Sequence, residues 1–192
     1  MLDVDGVLVH EPPVEVFARD AALDAAMASI RAELTAEDWQ SLATGQSDLL
    51  ERIGEIVRAL TLPVTPAQML DYWYPSETHL DTVVLDAAKR VRAAGMRVFL
   101  ATNQEHRRAR YLMETLELAS IFDGIAYSAA LGHRKPSPDY FAAAAAKVGA
   151  RASDIVFIDD NEGNVDAARL AGWRATHWLG DLSLEAAISA AR

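Results

Sequence analysis

Cysteine is absent from the 192 residues. That excludes disulfide scaffolds, thiol catalysis and Cys-ligated zinc. Long apolar runs are absent too: no stretch of 18 consecutive apolar residues occurs, so no segment reads as a membrane-spanning helix. Positive charge is scarce, with 18 Lys and Arg against 28 Asp and Glu and a net charge of −10. A nucleic-acid binder needs a basic stripe and an anionic membrane surface needs basic clusters, so neither nucleic acid nor membrane is an expected partner. The opening Met1-Leu2-Asp3 lacks the basic-then-apolar order of a secretory signal, and a cytoplasmic protein is the expectation. What is present supports a packed core: 51% of the residues are hydrophobic and 24% charged. The length suits one domain, or one domain carrying an insertion. An acidic chain can still take an anion where a metal or a few placed cations invert the local field.

From Asp81 onward, helix and strand signals alternate. Asp81–Ala94 carries apolar residues at helical spacing and stops at Gly95. Arg97–Ala101 reads as a buried strand, Gln104–Leu118 as a helix and Gly124–Tyr127 as a short strand. Ser137 and Pro138 open a helix to Val148. Asp154–Ile158 is a strand, Asn161–Ala171 a helix closed by Gly172, Arg174–Trp178 a strand and Ser183–Ala191 a helix. Repeated βα units with short apolar strands imply a parallel sheet covered by helices on both faces. Residues 11–80 differ, showing helices and no convincing strand. Val14–Leu34 reads as helical; Thr35 caps Ala36–Ala43; Ser47 caps Asp48–Leu60; Thr65 and Pro66 open a helix ending near Trp73. Pro12-Pro13 and Pro75 punctuate the two ends.

Four polar clusters follow expected strands. In Asp3-Val4-Asp5-Gly6, the two acids share a face of a strand, and their repulsion requires a divalent cation, a shared proton or solvent exposure. Gly6 permits a sharp turn and could leave N–H groups free for an anion. Thr102-Asn103 is either a helix N-cap or a phosphate cradle. Lys135, inside His133-Arg134-Lys135-Pro136-Ser137-Pro138, is either part of a solvated loop or a fixed charge for a phosphoryl oxygen. Asp159-Asp160, followed by Asn161, suits a hard oxygen-ligated cation such as magnesium, and one of these polar residues is also expected to cap the next helix. All four lie beyond the carboxyl ends of expected parallel strands, the edge where open α/β sheets bind ligands.

Together, Asp3-Val4-Asp5-Gly6, Thr102-Asn103, Lys135-Pro136 and Asp159-Asp160 resemble the haloacid dehalogenase (HAD) superfamily in order and spacing over nearly the whole chain. The resemblance implies an α/β, Rossmann-like core from residues 1–10 and 81–192. A C1-type helical cap, residues 11–80, would be inserted after the first strand. Gly132–Pro136 and Phe157–Asn164 are similar to α-glucose-1-phosphate phosphatases and to the N-terminal phosphatase domain of soluble epoxide hydrolases. The resemblance implies a magnesium-dependent phosphohydrolase acting on a small phosphorylated metabolite, such as a sugar phosphate. Asp3 would be the nucleophile forming an aspartyl-phosphate, and Asp5 the general acid and then base. Magnesium would sit on Asp3, the Asp5 carbonyl, Asp160 and, directly or through water, Asp159. Gly6, Thr102, Asn103 and Lys135 would hold the phosphoryl oxygens. Asn164 stands where many relatives carry another acid, and would orient ligands by hydrogen bonds.

Specificity is expected in the cap. Trp39, Tyr72, Trp73 and Tyr74 would line the cleft or form cap core, and His10, Arg19 and Gln46 would reach a substrate's polar end. His106, Arg107, Arg108 and Arg110 are expected on a solvated helix face, and His79 and His177 have no assignable partner. The assembly is expected to be a monomer or homodimer. Only Met1 and Leu2 precede Asp3, placing the α-amino group within roughly 10 Å of the nucleophile at about 3.3 Å per residue. The expectation is a start short of the natural one, or a destabilised core with unpaired neighbouring groups. The alternatives to a phosphatase are a phosphomutase of the same superfamily and a catalytically impaired phosphate-binding module. A dehalogenase is disfavoured, because that branch lacks the second acid found here as Asp5.

Overall fold

In the computed structural model, which describes residues 1–13 and 19–191, short apolar strands converge on one parallel sheet. The expected helical start at Val14–Ala18 lies outside the described residues. Strand β1 (Val9–His10) pairs antiparallel with β2 (His79–Leu80), Val9 opposite Leu80 and His10 opposite His79. This two-strand stem carries everything between the first acidic motif and the α/β core. Helices α1 (Ala21–Glu33), α2 (Ala36–Ala43), α3 (Leu49–Ala59) and α4 (Pro66–Ser76) are mounted on it. They enclose an apolar cluster of their own that includes Ile30, Leu42, Ile53, Met69 and Trp73.

The caps are those the sequence announces, with one shift. Thr35 and Thr65 form reciprocal capping boxes with Asp38 and Gln68. For α3 the cap is Asp48, not Ser47: its carboxylate accepts from the Leu50 and Glu51 N–H groups and places a negative charge at the helix's positive end. Helix α4 continues past Trp73 through Pro75 to Ser76. Proline there forgoes one backbone hydrogen bond and the helix stops within a residue.

After α5 (Thr82–Ala93), the core strands are β3 (Leu100–Thr102), β4 (Ile125–Tyr127), β5 (Val156–Asp159) and β6 (Arg174–His177). β3 runs parallel to β4 and β5 parallel to β6. Leu2 joins the two pairs, bridging Leu100 on one side and Ile158 on the other. The order is therefore β4, β3, Met1–Asp3, β5, β6. Leu2, Leu100 and Ile158 pack toward α5 and the final helix (Leu184–Ala190), while Ala101 and Phe157 face Tyr140, Phe141 and Trp173. That alternation is the two-residue side-chain period, and it puts helices on both faces.

The brief first strand still bonds on both flanks. Leu2 N–H donates to Phe99 O at 2.9 Å, Asp3 N–H to Ile158 O at 2.9 Å, and Ala101 N–H to Leu2 O at 2.8 Å. Strand β3 nevertheless begins at Leu100 rather than Arg97, because among the described residues no partner segment lies beside residues 97–98 on the Met1 side. A cavity of about 440 Å³, lined by Met1, Arg97, Phe99, Ala150, Ile155 and Val156 among others, adjoins the buried α-amino group. That amine donates to Val156 O, and burial pulls its pKa from 8.0 down to about 5.

The expected helix Gln104–Leu118 is broken into α6 (His106–Arg110), a π-helical turn (Tyr111–Thr115) and a 3₁₀ turn (Leu118–Ser120) entered through Glu117 at φ +55°. The remaining helices are α7 (Ser128–Leu131), α8 (Pro138–Val148), α9 (Glu162–Leu170) and α10 (Leu184–Ala190). Among the described residues, no helix is long and apolar enough to cross a membrane.

Candidate active site

The carboxyl ends of the central strands bring the polar clusters together. Asp3 follows the Leu2 bridge, Thr102 ends β3, and Asp159 ends β5 with Asp160 next. Carboxylate oxygens of Asp3, Asp159 and Asp160 all lie within 4.8 Å of one another. Asp3 and Asp159 are buried and Asp160 is exposed. Lys135, itself 2% exposed, comes in from the loop before α8. Its Nζ lies 2.9 Å from Asp3 Oδ1 and 2.6 Å from Asp159 Oδ2, and donates to Ala101 O at 3.0 Å. One cation thus serves two buried acids, and a third acid stands beside them.

The electrostatics show what is still missing. Burial pushes the Asp3 carboxyl from 3.8 up to about 7, against the pull of Lys135. The Asp160 carboxyl is also raised, by burial first and then by the charge of Asp159. Three clustered carboxylates with one ammonium are short of positive charge. All the converging donors are oxygens, the set that a hard divalent cation takes. The donor set fits magnesium.

Surrounding hydrogen bonds fix these groups. Asp159 accepts from Asn161 N–H at 2.8 Å and from Asn164 Nδ2 at 3.1 Å on each oxygen. Asn164 therefore orients an acid in the cluster. Asn161, not either aspartate, caps α9. Glu105, not Thr102, caps α6, which leaves the buried Thr102 hydroxyl with only a 3.4 Å contact from Gln104 Nε2. The cap expected of one polar residue in the Asp159-Asp160-Asn161 cluster is thus Asn161, whereas the cap after Thr102-Asn103 is a neighbour, Glu105.

Two placements differ from expectation. Gly6 N–H donates to Val9 O at 2.9 Å, so it is not offered to an anion. The glycine is needed for space: its φ is +83°, and a Cβ would meet Asp160 Oδ2 at 2.2 Å. The Asp5 carboxylate is absent from the three-acid cluster. It faces α6, where Arg108 Nη2 reaches Oδ1 at 2.7 Å, Arg108 Nη1 reaches Oδ2 at 3.0 Å and Gln104 Nε2 donates to Oδ2 at 2.5 Å. The strand ends too soon after Leu2 for a strict two-residue alternation to hold.

Asn103 acts through its side chain as well as its position. Its Oδ1 accepts from Lys135 N–H at 2.8 Å and its Nδ2 donates to Lys135 O at 3.0 Å, stapling the lysine loop to the end of β3. His177 also has a partner, the Asp160 carbonyl at 2.9 Å.

Between the helical segment and the core lies a cleft of about 210 Å³. Trp39, Leu42, Trp73 and Tyr74 line one side, and Asn103, Gln104, Glu105 and Arg108 the other. Trp39, Trp73 and Tyr74 thus line the cleft as expected, whereas Tyr72, His10, Arg19 and Gln46 do not. His10 lies on the stem, 3.6 Å from Asp81. Arg19 pairs with Asp24 beside a separate cavity. Gln46 is exposed and does not line the cleft. Tyr72 turns away from it, toward Asp24 and the Asp20 N–H.

Arg107 and Arg108 do not lie on a solvated face. Arg107 pairs with Asp48 across the helical segment and core at 2.8 Å, and Arg108 pairs with Asp5. Tyr74 donates to Glu105 at 2.8 Å along the same seam. The missed signal was position: Gln104, just before α6, and Arg108, on it, follow directly after Thr102-Asn103, and both reach Asp5.

Comparison with known proteins agrees with this geometry. A sequence model of the haloacid dehalogenase-like hydrolases matches residues 1–172. The phosphoglycolate phosphatase of Salmonella typhimurium is 26% identical over 194 residues, an alignment covering 88% of this chain and 76% of that protein. A HAD family enzyme from Bacteroides thetaiotaomicron, solved with magnesium and inorganic phosphate, superposes with a TM-score of 0.76 at 18% identity, covering 96% of each chain. A HAD-like hydrolase from Porphyromonas gingivalis superposes with a TM-score of 0.72 at 24% identity, covering 96% of this chain and 93% of its own.

Proposed function

The chain belongs to the haloacid dehalogenase-like hydrolase family, and from that premise we propose that it is a magnesium-dependent phosphatase of small phosphomonoesters. The observation that carries this reading is the cluster of Asp3, Asp159 and Asp160 around Lys135 at the carboxyl edge of the sheet. The phosphoglycolate phosphatase relatives support the reaction class. A sugar phosphate or similar metabolite is the substrate class, residues 11–80 serve as the cap, and the subfamily is the α-glucose-1-phosphate phosphatase type.

Each residue then has a task. Both hydrogen bonds to Asp3 fall on Oδ1, from Lys135 and from Val4 N–H at 2.7 Å, leaving Oδ2 to attack phosphorus and form an aspartyl-phosphate. Asp5 gives a proton to the departing alkoxide and then takes one from the attacking water. Thr102 Oγ1, the Asn103 N–H and Lys135 Nζ hold phosphoryl oxygens as charge spreads over them. Asp3, the Asp5 carbonyl and Asp160 would hold magnesium, with Asp159 direct or through water; when bound, the ion offsets carboxylate repulsion and polarises the phosphoryl group. The helical cap excludes water above the cleft.

The deciding experiment is turnover of p-nitrophenyl phosphate with and without magnesium, by native protein and by Asp3→Asn. Magnesium-dependent turnover, lost in the variant, is expected. Turnover in EDTA, or turnover retained by Asp3→Asn, would reject this chemistry.

A further inference from the structure

Among the described residues, Arg108 is the only cationic side chain lining the cleft between cap and core. The two acids that line it with Arg108 are already engaged. Glu105 accepts from the Tyr74 hydroxyl and from the N–H groups of Arg107 and Arg108. Glu77 accepts from Arg31 and from Trp73 Nε1. Neither is free to neutralise a cation on a substrate.

The arginine itself is held in a form that can be exchanged. Its side chain is 15% exposed, while that of its partner Asp5 is 49% exposed. The pair is two-pronged, with one guanidinium nitrogen on each carboxylate oxygen. The guanidinium is also under-used: Nε is buried with no partner, and Nη1 adds only a 3.2 Å contact to Gln104 Oε1. An incoming carboxylate would find a fork already shaped for it.

We propose that Arg108 receives a carboxylate on the leaving group, so that the site selects phosphate monoesters of short hydroxy acids over those of neutral alcohols and sugars. The inference rests on the phosphatase reading and replaces the sugar phosphate of that reading with the phosphate ester of a hydroxy acid. A carboxylate-bearing substrate exchanges one Arg–carboxylate pair for another and meets little net electrostatic cost. A neutral leaving group must either displace Arg108 with nothing to replace Asp5 or leave Asp5 with both oxygens engaged. Size points the same way. The cleft of about 210 Å³ has room for a handful of non-hydrogen atoms, and its apolar wall of Trp39, Leu42 and Trp73 offers few partners to a ring of hydroxyls.

The test uses the magnesium-loaded protein and two esters of one carbon skeleton, 3-phosphoglycerate and glycerol 3-phosphate, with p-nitrophenyl phosphate as a third substrate. In wild type, kcat/KM should favour 3-phosphoglycerate by roughly 100-fold or more, up to the about 10⁴-fold by which a site built to hydrogen-bond a polar group rejects an analogue lacking it. In Arg108→Gln that ratio should collapse to about one, mainly through KM for 3-phosphoglycerate. Arg108→Lys keeps the charge and loses the fork, so its ratio should fall between; it also keeps the test alive if Arg108→Gln does not fold. A wild-type enzyme without preference overturns the proposal. So do variants in which all esters fall together with the ratio intact. If wild type hydrolyses none of the three esters, the phosphatase reading fails and this one with it. Turnover of p-nitrophenyl phosphate without discrimination rejects Arg108's role alone.

Discussion

Gly6 and Asp160 share one small volume: a Cβ on Gly6 would stand 2.2 Å from Asp160 Oδ2 and 2.4 Å from its Cγ. Backbone and carboxylate are therefore fitted to each other, and the positive φ of Gly6 adds a second reason for glycine. Gly6→Ala is predicted to push Asp160 out of the acid cluster. Magnesium affinity, measured by calorimetry, should fall at least about 10-fold, the scale seen when groups that orient metal ligands are lost. Unchanged affinity would show that Asp160 lies outside the metal site.

Lys135 carries a different burden. It is the ammonium that touches both Asp3 and Asp159, and all three groups are buried. Lys135→Met keeps volume and removes charge, so the metal-free protein should lose about 3–5 kcal/mol in urea unfolding. Magnesium should recover more stability in the variant than in wild type, because it replaces the missing positive charge. A variant as stable as wild type in EDTA would mean that the acids are already neutralised by protons.

How much of this was legible in the sequence depends on the length scale of each cause. Asp3, Lys135 and Asp159 were readable because each follows a local strand signal, and parallel strands bring their carboxyl ends to one edge. Helix caps at Thr35 and Thr65 were readable for the same reason, as capping is complete within four residues. Pairings between distant segments were not. Arg108 meets Asp5 across 103 residues and Arg107 meets Asp48 across 59, and no local pattern distinguishes these arginines from solvated ones. Gly6 was found but assigned to an anion; that its N–H belongs to Val9 depends on the β1 turn, which has no apolar periodicity to reveal it.

The acid cluster should also leave its mark on pH dependence. Asp3 has its carboxyl raised from 3.8 to about 7 in the folded, metal-free protein. A group held more tightly protonated in the folded state contributes stability that is full below its unfolded value and lost as pH rises through its folded one. In EDTA, the melting temperature of wild type relative to Asp3→Asn is therefore predicted to fall between pH 4 and pH 7, the window set by those two values. Saturating magnesium should flatten the slope, because the cation replaces the proton. A difference that stays level in EDTA would show that Asp3 is ionised throughout.

Asn103 offers a way to separate positioning from contact. Its backbone N–H is assigned to a phosphoryl oxygen, whereas its side chain holds both the N–H and the carbonyl of Lys135. Asn103→Ala preserves the first and deletes the second. The loss of two part-buried hydrogen bonds should cost about 1–3 kcal/mol of stability. The Lys135 ammonium depends on that loop for its place between Asp3 and Asp159, so kcat should drop about 10-fold while KM changes little. Asn103→Asp sharpens the comparison: its carboxylate can still accept from Lys135 N–H but cannot donate to Lys135 O, so it should lie below wild type in both stability and kcat. If Asn103→Ala raises KM and leaves both kcat and stability intact, the side chain binds substrate directly and the staple to Lys135 is incidental to catalysis.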